Sequence, residues 1–149
     1  MTENVHHNKW GLYPWSAERG RDLVHQKSFE EFSNLGPRGK VFYCREHVEQ
    51  YFLLEYGQAV FYVKPDMFMQ VPEPKFRIGQ KVRKIDSSEV LIVLEVHWHF
   101  ARNAPFFLMS LDGKRKSKRY FEEDIELVGF QDSPEPDSDS KPAGPSVTI

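Results

Sequence analysis

Between Lys75 and Val128, short apolar or alternating runs are separated by turn residues, a pattern that predicts five β-strands. Lys75–Arg83 alternates, which puts Ile78 and Val82 on one buried face and leaves Gly79 where the chain can turn. Glu89–Val96 is almost continuously aliphatic, and its β-branched Val90, Ile92, Val93 and Val96 favour a strand over a helix. Phe106–Leu111 is the next strand. Asp112-Gly113 directly behind it is the dipeptide that tight hairpins prefer, because Gly accepts positive φ. The return strand is expected from Arg115 to Phe121, followed by the polar turn Glu122-Glu123-Asp124 and a closing strand from Ile125 to Val128.

The first half has another rhythm. Lys40–Arg45, Tyr51–Tyr56 and Gln58–Val63 predict three strands, with Gly57 as a bend and Glu46–Gln50 as a loop or hairpin. Two short helices are expected before them. Ser16 is a candidate N-cap for a helix carrying Leu23 and Val24, weakened by Gly20. Ser28 is a second, with Glu31 in the capping-box position, Phe29 and Phe32 on one face, and Gly36-Pro37 as the stop. Met67–Met69 reads as a turn of helix or an edge strand, and the prolines at 72 and 74 mark a boundary. Residues 10–71 therefore form an α+β unit, 72–74 a junction and 75–128 a β unit. The fold class is mainly β (α+β): two short helices and about three antiparallel strands packed on a five-stranded barrel. The polar residues 1–9 are expected to be flexible. Residues 129–149, rich in Pro, Ser and Asp, are expected to be a disordered acidic tail, since they cannot bury enough apolar surface to offset ordering.

Two stretches carry a resemblance. Phe76-Arg77-Ile78-Gly79-Gln80-Lys81-Val82 is similar to the first strand of SH3-like small β-barrels, and Tyr120–Val128 resembles their final turn and closing strand. That resemblance implies a fold for about a third of the chain and no single activity, since this barrel hosts nucleic-acid binders, peptide binders and subunit interfaces. Trp10-Gly11-Leu12-Tyr13-Pro14-Trp15, Gly39-Lys40-Val41-Phe42 and Val63-Lys64-Pro65-Asp66 resemble a bacterial family of unknown function across residues 10–128. No catalytic or binding residue follows from it.

Composition sharpens this reading. The chain has 149 residues, 14% of them aromatic, so a real core is expected. A formal charge of −2 hides an uneven distribution: residues 75–128 are basic by three charges and 129–149 acidic by three. The single cysteine, Cys44, excludes an internal disulfide, and no stretch of eighteen apolar residues occurs. A soluble cytoplasmic protein, bacterial in character, acting on no membrane and holding no cofactor, is the expectation.

Candidate chemistry is sparse. No phosphate loop, Rossmann glycine pattern, serine elbow or zincin motif is present, so no catalytic residue and no metal ligand is assigned. His97 and His99 share a strand face, yet a metal normally needs a third or fourth ligand, and His6-His7 is a weaker pair. Cys44 could act as a nucleophile only with a base such as His47 in reach; a lone strand cysteine more often packs as a small core residue. Trp10, Tyr13 and Trp15 are a recognition cluster or, more commonly, a lid over the core. The basic run offers Lys114, Arg115, Lys116, Lys118 and Arg119, followed by Tyr120 and Phe121 that could stack on bases. Its plainer role is to guard an edge strand against aggregation. The first functional expectation is a non-enzymatic binding module that presents Trp98, Phe100, Tyr120 and this hairpin to a protein partner. Nucleic-acid binding through residues 114–119 is the alternative, and an enzyme of unrecognised type the third.

Overall fold

The computed structural model describes residues 9–128. The expectations for the N-terminal residues before Lys9 and for the acidic tail lie outside the described residues, while Lys9 itself opens the first strand.

Two antiparallel sheets form the molecule. The first comprises β1 (Lys9–Leu12), β2 (Val41–Val48), β3 (Tyr51–Tyr56), β4 (Ala59–Val63) and β5 (Met69–Val71), in the order β4-β3-β2-β1-β5. The second comprises β6 (Lys81–Lys84), β7 (Val90–His99), β8 (Ala104–Leu111), β9 (Lys114–Arg115), β10 (Tyr120–Phe121) and β11 (Ile125–Leu127). Its order is β10-β8-β7-β6-β11, with β9 pairing β8. Two helices, α1 (Ala17–Gly20) and α2 (Gln26–Leu35), lie between β1 and β2 in sequence.

Five strands stand in the first sheet where about three were expected. Crowded rings hide the alternation of β1: Trp10 and Leu12 share one face, and Gly11 lies on the other, between Phe42 and Gln70. Gly11 has no room for a side chain, since a Cβ there would lie 2.4 Å from the Phe68 ring. Of the loop or hairpin expected at Glu46–Gln50 the structure forms the hairpin, with strand β2 running on through Val48. A bulge at Arg45 lets it do so, and the turn falls at Glu49-Gln50.

The first helix starts behind Ser16 as expected, and the start of the second differs. Ser16 makes no side-chain cap. Helix α2 begins two residues before Ser28, capped by His25, whose Nδ1 accepts the Lys27 N–H at 3.0 Å. Ser28 is buried and accepts the Tyr62 N–H at 2.9 Å, so its hydroxyl ties α2 to β4 rather than capping the helix.

In the second half, Asp112 and Gly113 both take positive φ, 52° and 82°, which is the turn their sequence predicts. The strand expected from Lys75 is shorter: Arg77–Gln80 make a turn, and β6 starts at Lys81. The return strand is also broken, because Lys116–Arg119 pair with no ladder and leave only β9 and the two-residue β10 on β8. Among the described residues no ladder joins β10 to β11, so the expected barrel is not closed.

Two apolar clusters result. Helices and the first sheet enclose Tyr13, Trp15, Phe32, Phe42, Leu54 and Phe61, so Tyr13 and Trp15 are core rings. Leu12 and Val41, on the other face of that sheet, join Val82, Val96, Trp98, Phe107 and Tyr120. The two halves thus share the second cluster, where each buried aliphatic side chain contributes about 1.5–3 kcal/mol. Polar links reinforce it. The Tyr56 hydroxyl accepts the Val96 N–H at 3.0 Å and donates to the Val96 carbonyl at 3.2 Å, and the Trp98 N–H donates to Gly39 O at 2.7 Å.

Candidate functional site

Antiparallel pairing of β7, β8 and β10 sets His97 opposite Phe106 and Phe106 opposite Phe121. Strand periodicity carries Glu95, His97 and His99 to that same outer face, while Val96 and Trp98 point into the core. His97 and Phe106 lie nearly parallel, with centroids 5.2 Å apart and planes at 14°. His99 meets Phe106 and Phe121 edge-on, at 6.0 and 5.4 Å.

Guanidinium groups cover these rings. Arg102 stands 3.7 Å from the Phe121 centroid and Arg119 stands 4.9 Å from that of Phe106. Arg102 also bonds Glu123 at 2.7 Å, and its backbone N–H donates to His99 Nδ1 at 3.2 Å. A ring beneath a guanidinium attracts it by cation–π interaction, and the N–H groups that Arg102 does not spend on Glu123 remain to bond an anion.

Beside the rings runs a short charge relay. Glu95 bonds His97 Nε2 through Oε1 at 2.6 Å and pairs with Arg115 through Oε2 at 2.9 Å. Burial alone would raise the Glu95 carboxyl, but hydrogen bonds from His97 and Arg115, with the Arg115 charge, outweigh it and hold the group below its ordinary value. Burial lowers His97, and the positive charges of Lys40 and Arg115 add to that, against the pull of Glu95. His97 is accordingly a neutral imidazole at pH 7 that donates from Nε2 to Glu95.

The residues singled out in the sequence divide into two groups. Trp98 and Tyr120 are core residues, 8% and 6% exposed, with no ring face open to a partner. Phe100, at 64%, is an exposed ring in the loop after β7. Arg115 and Arg119 join the outer face, and Lys114 pairs across the hairpin with Leu111. Lys118 sits 5.2 Å from the Tyr120 centroid, and Lys116 is half-buried with its N–H bonded to Met109 O. Arg102, Glu95 and Phe106 were not singled out. The hairpin register would have found Phe106, since it sits opposite His97.

The other candidates carry less. Cys44 is fully buried in the helix-side cluster, and burial pushes its thiol up to about 12, so the thiolate that a nucleophile requires is not formed near neutral pH. His47 is exposed and packs against Phe52. Among the described residues no three His, Cys, Asp or Glu side chains gather as a metal site, and no helix is long and apolar enough to cross a membrane. A concavity opens at the seam between the sheets, a cleft of about 170 Å³ walled by Trp10, Tyr43, Glu55 and Arg77.

No curated protein and no solved structure matches the chain. One family model, described as a family of unknown function (DUF6960), matches residues 1–126, which span both sheets, and the chain belongs to that family.

Proposed function

We propose that this protein is a non-enzymatic binding module that holds an acidic segment of a protein partner on the outer face of its second sheet. The carrying observation is that Arg102 and Arg119 lie over Phe121 and Phe106. Guanidinium groups seated on rings have little further freedom to lose on binding, and their edges match carboxylates bidentately. The exposed Lys114 and Lys118 of the hairpin add positive potential around them, while Arg115 is paired with Glu95. The exposed Phe100 supplies an apolar anchor beyond the Arg102 end of the face.

The same observation weighs against base stacking, because the ring faces a nucleobase would use are taken by arginine, and Phe106 is only 8% exposed. An SH3-like reading of the second half agrees with a binding role. It is supported by the order β10-β8-β7-β6-β11 and by the 3₁₀ turn Glu122–Asp124 between the last two strands. A cytoplasmic site of action fits the single, buried Cys44.

Titration of the full chain with a fluorescent acidic decapeptide, and separately with single- and double-stranded DNA and RNA, tests the proposal. Peptide binding at about 50 mM salt that weakens as salt rises is the expected result. Nucleic acid binding tighter than the peptide under those conditions would replace this reading with the hairpin alternative.

A further inference from the structure

The seam cleft is built on one row of side chains. Trp10 stands opposite Tyr43, and Tyr43 opposite Glu55, so the three share the face of the first sheet that carries Leu12 and Val41 into the common core. The Trp10 and Tyr43 rings are 4.9 Å apart and inclined at 45°. Arg77, from the turn before β6, holds its guanidinium 5.3 Å from the Trp10 centroid. Ile78 and the tethered Tyr56 complete the cleft.

We propose that this cleft binds a small zwitterion of the amino-acid or betaine class, its ammonium against the Tyr43 ring and the Glu55 carboxylate and its carboxylate on Arg77. Aromatic faces attract ammonium groups through their quadrupole, and a nearby carboxylate adds direct Coulomb attraction. Glu55 uses Oε2 for Arg45 at 2.6 Å, but a carboxylate accepts about four hydrogen bonds, so an amino acid's ammonium can still bond it, whereas a quaternary ammonium, which has no N–H, is held there by charge alone. Arg77 pairs with Glu73 at 3.1 Å, both side chains more than half exposed. Such a surface pair is weak in water, and a ligand carboxylate can take Glu73's place.

Opposed charges in one cleft supply the selectivity. A lone cation meets Arg77 and Arg45 and a lone anion meets Glu55 and Glu73, whereas a molecule carrying both charges has a partner on each wall. Size agrees: at about 170 Å³ the cleft is comparable to an engineered cavity of roughly 150 Å³ that accommodates benzene. This site uses no residue of the arginine-covered face, so either proposal can fail without the other.

The test is a titration of the full-length protein with glycine betaine and with glycine, followed by amide chemical shifts. Choline and acetate serve as single-charge controls. The expected result is a set of shifts at Tyr43, Gly57 and Ile78, a Kd on the order of 1 mM for the zwitterions and at least tenfold weaker binding of both controls. Glu55→Gln and Arg77→Gln should each weaken glycine betaine about tenfold while leaving the remainder of the amide spectrum unchanged. No cleft shifts at about 50 mM ligand, choline or acetate binding as well as betaine, or either variant binding like the native protein would overturn the assignment.

Discussion

Two aromatic clusters in this chain have similar spacing and opposite cover. Phe32 of α2 and Phe61 of β4 are 4.9 Å apart where the helix meets the first sheet, and His97 and Phe106 are 5.2 Å apart on the outer face of the second sheet. The first set is closed by hydrocarbon, with Phe32, Phe42 and Phe61 fully buried. The second is roofed by Arg102 and Arg119, which water can reach. Ring proximity is therefore no guide to role. An apolar roof converts ring area into stability, and a guanidinium roof converts it into an oriented charge.

Substitutions can break that contrast. The largest effect belongs to Phe32→Ala, expected to cost about 3–5 kcal/mol because the rings around it cannot collapse into the space. Denaturant titration measures it, and a loss under about 1 kcal/mol would mean the helix-side cluster is no tighter than the outer one. Next is Tyr56→Phe. It removes one hydroxyl that serves both the N–H and the carbonyl of buried Val96, so about 1–3 kcal/mol should be lost with the rings of both clusters undisturbed.

Acid should act on the outer face first. His97 is depressed below its ordinary 6.5, so the unfolded chain takes up a proton before the folded one. Stability is then complete above about 6.5 and falls as pH drops through the lower folded value. Glu95, also depressed, adds a second fall that begins near its ordinary 4.5. Melting temperature followed against pH should display both, and His97→Gln should remove the upper one. The smallest stability effect is that of Arg102→Ala, within about 0.5 kcal/mol, because its pair with Glu123 is exposed. The same change should weaken the acidic peptide about tenfold, and an unchanged affinity would separate the roof from recognition.

Much of the strand pattern is legible in the sequence alone, because period-two alternation and the Asp112-Gly113 turn are local signals. Strand β1 was not, since Trp10 and Leu12 acquire meaning only when β2 and β5 pair on either side of them. The break at Lys116–Arg119 was equally hidden: a basic run looks the same on a strand and in a loop. At the candidate face the spacing of His97 and His99 puts both on one side of the strand, but it marks them only as a metal pair short of ligands and not as part of a binding face. Arg102 was missed because a loop residue's approach to Phe121, nineteen positions later, depends on how the sheet brings them together. Trp98 and Tyr120 were misjudged because aromatic identity does not say which side of a strand faces the core.

Strand β7 is longer than the strand beside it. Its ladder to β6 ends at Ile92, and beyond that point its outer edge is completed by Gly79 and Gln80, by the Tyr56 hydroxyl and by Gly39. Residues 75–128 expressed alone would lose the last two of these and expose the backbone of Val96 and Trp98 as an unfinished edge. An open edge of that kind recruits another copy of itself. The first half of the chain thus covers that edge, and the isolated second half should sediment as concentration-dependent oligomers larger than those of the full chain at the same concentration.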